Sequence, residues 1–140
     1  LDQASPQMSA VRFLSGTPPI VGMLAMQDTI EMIQDAGIDA IRTKSIALTE
    51  FAVRLVDDLL APLDVTVASP RDVAFRGGHV TLSHPSMRGV TAHLWQQDVI
   101  PDYRDPDGLR IGLSPLSTSF AETLTGLRAV RDAVAALARP

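Results

Sequence analysis

Two consecutive prolines, Pro18 and Pro19, constrain the fold of this chain more than any other feature. Each fixes φ near about −65° and lacks a backbone N–H, so neither a helix interior nor a central strand can run through them. They close the stretch RFLSGTPPI, residues 12–20, in which a serine, a glycine and a threonine precede the stiff point. The following segment, IVGMLAMQDTIEMIQDAG, reads as a helix, with Thr17 as its N-cap and Pro18 as its first helical residue. Its first half is apolar nearly all round, which predicts burial, and Gly37 ends it. With two prolines at its start, this helix offers an anion fewer amide donors than usual. An anion there would depend on the Thr17 hydroxyl and the Gly16 or Thr17 amides, helped by the helix dipole. A rigid turn with no ligand fits the same residues equally well.

Further elements follow from periodicity. IDAIRTKSIALTEFAVRLVDDLLAP reads as a second helix with Ile41, Ser45, Leu48, Ala52, Leu55 and Leu59 on one seam. DVTVAS, residues 64–69, and HVTLSH, residues 79–84, alternate and are rich in β-branched residues, so both read as strands. Residues 76–78, Arg-Gly-Gly, form a turn between them. Residues 88–98 read as a short helix carrying Trp95. Two short extended runs then flank the turn Asp105-Pro106-Asp107-Gly108. Ser119 and Glu122 stand at capping-box spacing and open a last helix, with Phe120, Leu124, Leu127, Val130, Val134 and Leu137 on one face. The order ααββαββα, with helices on one face of a sheet, predicts a small α+β domain.

Composition removes several function classes. The 140 residues suffice for a modest core, and a formal net charge of −4 argues against a nucleic-acid partner. There is no cysteine, which excludes disulfides, thiolate metal sites and cysteine nucleophiles. No apolar run is long enough for a membrane span, and no secretory signal pattern opens the chain, so no membrane partner and a cytoplasmic location are expected. The sequence begins at Leu1 in a polar, turn-prone run, as a piece of a longer protein would.

Few side chains could carry chemistry. His79, His84 and His93 lack metal-ligand spacing with a carboxylate, so structural roles and no metal are expected. Lys44 is the lone lysine among 12 Lys and Arg residues. It lies at the edge of its helix seam, where its stem covers apolar surface and its charge stays wet. Arg110 is more informative. In GLRIGLS, alternation puts Leu109, Ile111 and Leu113 on one face and Arg110, Gly112 and Ser114 on the other. Gly112 has no side chain, which leaves space beside a guanidinium on a strand. A guanidinium fork matches a carboxylate in two hydrogen bonds. A surface or salt-bridged arginine is the competing reading.

The pieces RFLSGTPPI, KSIALTEF, ASPRD, RGGHVTLSHP, VIPDYRDPDGLRIGLSPL and TSFAE together resemble the C-terminal part of the bacterial kynureninase family. The resemblance runs from about residue 12 to about residue 135. It implies the small C-terminal domain of a fold-type I pyridoxal 5'-phosphate enzyme, a homodimer that hydrolyses L-kynurenine to anthranilate and L-alanine in tryptophan catabolism. It places Arg110 on the substrate α-carboxylate. It places Thr17, with Gly16, on the cofactor phosphate across the dimer interface. The Gly-Thr pair implies a preference for kynurenine over 3-hydroxykynurenine.

The family's cofactor-bearing lysine and its ring-binding residues are implied to belong to a large domain upstream. No segment here resembles them, and neither Lys44 nor Trp95 stands in, so no catalytic residue is expected within residues 1–140 and the chain alone is expected to be inactive. Two alternatives stand beside this reading. One is the small domain of another fold-type I enzyme, an aminotransferase or cysteine desulfurase. The other is a dimerisation or ligand-binding domain without catalysis.

Overall fold

The computed structural model describes residues 15–137, and the chain divides into two compact units, Leu1–Ile38 and Asp39–Pro140. Arg12, Phe13 and Leu14 of the opening motif lie outside the described residues.

In the first unit, helix α1 runs Ile20–Ala36. It starts after both prolines, not at Pro18. Pro19 is the N-cap (φ −73°, ψ 87°), its carbonyl accepts the Met23 N–H at 3.0 Å, and no side chain caps the helix. The reason is steric. A residue before proline is pushed out of the helical region, and Pro18 precedes Pro19, so Pro18 cannot be the first helical residue. Thr17 is therefore not the N-cap. Gly37 ends the helix as the sequence indicated. Its φ of 76° is the left-handed region, and its N–H bonds the Ile33 carbonyl at 3.0 Å. The expected burial of α1 is not met: none of its residues is buried, and Val21 is 83% exposed. An all-round apolar helix records a demand for a partner surface, and periodicity is silent on where that surface lies.

In the second unit, helices α2 (Ile38–Leu59), α3 (Met87–Trp95) and α4 (Phe120–Leu137) accompany a four-stranded sheet. Strands β1 (Thr66–Val67), β2 (His79–Ser83), β3 (Asp102–Arg104) and β4 (Gly108–Gly112) lie in the order β1-β2-β4-β3, all neighbours antiparallel. The element order and the α+β class agree with the sequence reading.

The core joins Leu48, Ala52 and Val56 of α2, Val80 and Leu82 of β2, Val90 and Leu94 of α3, Leu109 of β4, and Leu127 and Val134 of α4. Each of these leucines and valines contributes about 1.5–3 kcal/mol by leaving water. The α2 seam is rotated from expectation: Thr49 and Val53 are buried, whereas Ile41, Leu55 and Leu59 are half-buried. A threonine can turn inward because its hydroxyl donates to the Ser45 carbonyl at 2.9 Å. Strand β1 is shorter than the predicted 64–69. The Ser69 hydroxyl accepts the Thr81 N–H at 2.8 Å, so a side chain replaces the strand carbonyl and the ladder stops. At α4 the capping box forms: Glu122 accepts the Ser119 N–H at 2.7 Å, and the Ser119 hydroxyl accepts the Glu122 N–H at 3.1 Å. Phe120 meets Phe51 edge to face at 5.4 Å between ring centroids.

No helix among the described residues is long and apolar enough to cross a membrane.

Candidate functional site

The sheet has two unlike faces. Antiparallel partners share a face, so Val80 with Ile111 and Leu82 with Leu109 point to the core. The opposite face carries Thr81, Arg110 and Asp102 in one row across three strands, because Arg110 pairs with Thr81 on β2 and with Asp102 on β3. Next to this row lie Ser83, Gly108 and Arg104 on one side and His79 and Gly112 on the other.

The hairpin of β3 and β4 fixes that row. A Cβ on Gly108 would sit 2.9 Å from the Arg104 carbonyl oxygen and 3.1 Å from the Arg104 Cβ, so only glycine allows this close approach. The turn is tied down at several points. Ser83 donates to Asp107 at 2.8 Å, the His84 N–H bonds the Asp107 carbonyl at 3.1 Å, and the Tyr103 hydroxyl donates to the Pro106 carbonyl. Arg88 stacks over the Tyr103 ring at 4.7 Å and pairs with Asp105 at 2.9 Å.

Arg110 stands on the central strand with 37% of its side chain exposed. Its Nη2 donates to Asp102 Oδ2, the oxygen that also accepts Arg104 Nη2 at 2.6 Å. A guanidinium has five N–H donors, and no other hydrogen bond engages that of Arg110 among the described residues. A Cβ added at Gly112 would meet nothing within 4 Å, so the same face is open next to the arginine. A charged fork with spare donors beside open space can take an anion, and a planar carboxylate matches it in two hydrogen bonds.

The second predicted position lies in the first unit. Gly16 and Thr17 are both exposed. A Cβ at Gly16 would meet nothing within 4 Å, and no hydrogen bond engages the Thr17 hydroxyl among the described residues. Because α1 starts after the prolines, the first-turn amides of Ile20, Val21 and Gly22 keep their N–H groups and have no intrahelical acceptor. The donor deficit expected from the two prolines is thus absent. Thr17 and Arg110 fall in separate units.

The remaining sequence candidates have local tasks. His84 Nδ1 lies 2.7 Å from the Ser86 hydroxyl at the start of α3, and His93 lies 3.0 Å from Gln97. No metal-binding group of three His, Cys, Asp or Glu residues occurs among the described residues. Lys44 is half-buried on α2, where its charge helps the Ser119 N–H and hydroxyl hold the Glu122 carboxyl below its usual range. Trp95 is 55% exposed and donates to the Pro101 carbonyl at 3.0 Å.

Sequence reasoning passed over Asp102 and Arg104. A signal for them exists. A turn over residues 105–107 forces Arg104 opposite Gly108 and Asp102 opposite Arg110, which sets opposite charges face to face across a hairpin.

Residues 41–130 match the family model described as Kynureninase C-terminal domain. That stretch includes Arg110 and excludes Gly16 and Thr17. The chain is 35% identical to the kynureninase of Pseudomonas fluorescens over 117 residues, 84% of this chain and 28% of the relative. It is 32% identical to the kynureninase of Geobacillus thermodenitrificans over 118 residues, 84% of this chain and 28% of the relative. It is 32% identical to the kynureninase of Deinococcus radiodurans over 131 residues, 91% of this chain and 32% of the relative. The chain thus spans about a third or less of these relatives.

Proposed function

The chain belongs to the kynureninase C-terminal domain family, and on that premise we propose that it forms the small C-terminal domain of a cytoplasmic, homodimeric, pyridoxal 5'-phosphate-dependent kynureninase. The holoenzyme hydrolyses L-kynurenine to anthranilate and L-alanine. The observation that carries this reading is Arg110, a strand-borne guanidinium with spare donors on an open sheet face, inside the family-matched stretch.

In this reading Arg110 grips the α-carboxylate of kynurenine and fixes how the amino acid is turned. Charge alone would bring a carboxylate close, whereas two parallel hydrogen bonds also set its plane. Thr17 and Gly16 bind the cofactor phosphate across the dimer interface. The residues present fit a phosphate: an unengaged hydroxyl, an unobstructed glycine, and a helix start with free amides and a positive dipole end. When bound, pyridoxal phosphate supplies the sink for electrons released at the substrate's carbon framework. In this reading the lysine that holds it lies in the large domain of the holoenzyme, and Lys44 keeps a local place on α2.

The test is twofold. The holoenzyme containing this domain should release fluorescent anthranilate from L-kynurenine, with unsubstituted kynurenine preferred over its 3-hydroxy form. The isolated chain mixed with pyridoxal phosphate should show no turnover and no borohydride-trapped adduct on Lys44 by mass spectrometry. A trapped adduct on Lys44, or a holoenzyme inert to kynurenine, overturns the assignment.

A further inference from the structure

We propose that Asp102 and Arg104 are positioning residues for Arg110: Asp102 aims the guanidinium, and Arg104 keeps the cluster cationic. The inference rests on Arg110 being the carboxylate ligand.

The geometry is a three-residue cluster on the polar sheet face. Asp102 Oδ2 accepts from both arginines, from Arg104 Nη2 at 2.6 Å and from Arg110 Nη2. Asp102 and Arg110 are direct register partners, so the contact arises from backbone pairing and not from a chance meeting of long side chains. A free arginine side chain is flexible and loses rotamer freedom when it binds a ligand. Anchoring one Nη2 hydrogen on a strand-held carboxylate removes much of that freedom in advance. The second Nη2 hydrogen, both Nη1 hydrogens and Nε–H remain for an anion.

Charge decides the role of Arg104. A lone Asp102–Arg110 pair would be neutral overall and would attract an anion weakly. Arg104 shares the same oxygen, so the three groups carry a net charge of +1 with both arginines ionised. The carboxylate can then orient Arg110 without cancelling its attraction for a second carboxylate. Roughly half of the Asp102 and Arg104 side chains remain exposed, at 48% and 52%, so water and salt screen the cluster and its effect is one of aim more than of raw affinity.

The experiment uses the holoenzyme that carries this domain. Asp102→Asn keeps the shape and removes the charge. Its KM for L-kynurenine should rise by about tenfold, the scale on which a supporting partner acts through the group it orients. An amino-acid inhibitor with a free carboxylate should lose affinity in parallel, and its carboxamide analogue should not. Arg104→Gln should raise KM a few-fold, and the ratio to wild type should shrink in high salt. An Asp102→Asn enzyme with unchanged or lower KM, while Arg110→Lys is impaired, overturns the positioning role and leaves the carboxylate role of Arg110 standing. If Arg110→Lys itself leaves KM unchanged, the underlying assignment fails instead. Should Asp102→Asn not fold, Asp102→Glu serves: a loss confined to carboxylate ligands supports the inference, and an equal loss for acid and amide overturns it.

Discussion

Arg76 and Arg110 belong to the same unit and each pairs with a carboxylate, yet they end in opposite environments. The Arg76 side chain is 1% exposed. Its Nη1 donates to the Pro70 and Arg71 carbonyls at 3.0 and 2.6 Å, and its Nη2 to Glu50 of α2. Arg42 adds a hydrogen bond to the Val73 carbonyl at 2.6 Å, so two arginines fasten the loop between β1 and β2 onto α2. Arg110 is 37% exposed, spends one donor on Asp102, and faces open space along its strand. The same side chain thus works as a staple where backbone carbonyls surround it and, in the proposed reading, as a receptor where its donors are left over. Counting acceptors around each guanidinium marks the difference: Arg76 has three, although its buried Nε has none, and Arg110 has one.

The largest expected effect lies at the receptor. Arg110→Ala in the holoenzyme should lower kcat/KM for L-kynurenine on the order of 10³, and Arg110→Lys on the order of 10², since lysine keeps the charge and loses the oriented fork. Cofactor loading and denaturation midpoint should stay close to wild type in both. Near-normal kcat/KM in Arg110→Ala would erase the contrast and return Arg110 to the surface.

The staple should behave in reverse. Arg76→Ala should destabilise the chain by about 3 kcal/mol, the lower end for breaking a buried pair, because Glu50 is partly exposed and regains water. Urea denaturation should show a lower midpoint at unchanged slope. A stability loss below the error of the measurement would mean that the loop carbonyls, and not the arginine, organise this segment.

Thr17 offers a smaller and more selective test. Thr17→Ala should weaken cofactor retention by about 2 kcal/mol, the loss of a hydrogen bond to a charged group, with Thr17→Ser recovering most of it. Stability of the chain itself should not change, because Thr17 caps no helix. A matching drop in stability would show that Thr17 serves the fold.

The smallest effect concerns the start of α4. Ser119→Ala should cost about 1 kcal/mol through the lost cap. The Glu122 carboxyl is held below its usual range by the Ser119 N–H and hydroxyl, with help from Lys44. A carboxyl lowered by folding stabilises the fold above its ordinary pKa, and that contribution fades as pH falls through the lowered value. Glu122→Gln should therefore lose less stability than wild type on acidification below the ordinary carboxylate range, read as a flatter acid limb of the denaturation midpoint against pH.

Local chemistry was legible from the sequence by itself. The capping box at Ser119 and Glu122, the stop at Gly37, the strands flanking the 105–108 turn, and the alternation that separates Arg110 from Leu109 all depend on residues within a few positions of one another. Their physics is short-range, so order along the chain suffices. The limit at Thr17 is also local: Pro19 keeps Pro18 out of the helix, so the cap falls on Pro19 and not on Thr17.

Tertiary structure decided the rest. Arg76 reads as part of a glycine-rich turn, and only the return of that loop to Glu50 and the Pro70 carbonyl makes it a buried staple. The burial of Thr49 depended on which neighbours α2 met, and the apolar run of α1 could not say whether its partner lies in the described chain. Arg110 needed both levels. Alternation put it on the polar face, but which of its donors are spent and which remain is fixed by Asp102, brought opposite by strand pairing. Sequence assigns a side chain its chemistry and its face, whereas the groups left to satisfy that chemistry are set by chain segments that meet only on folding.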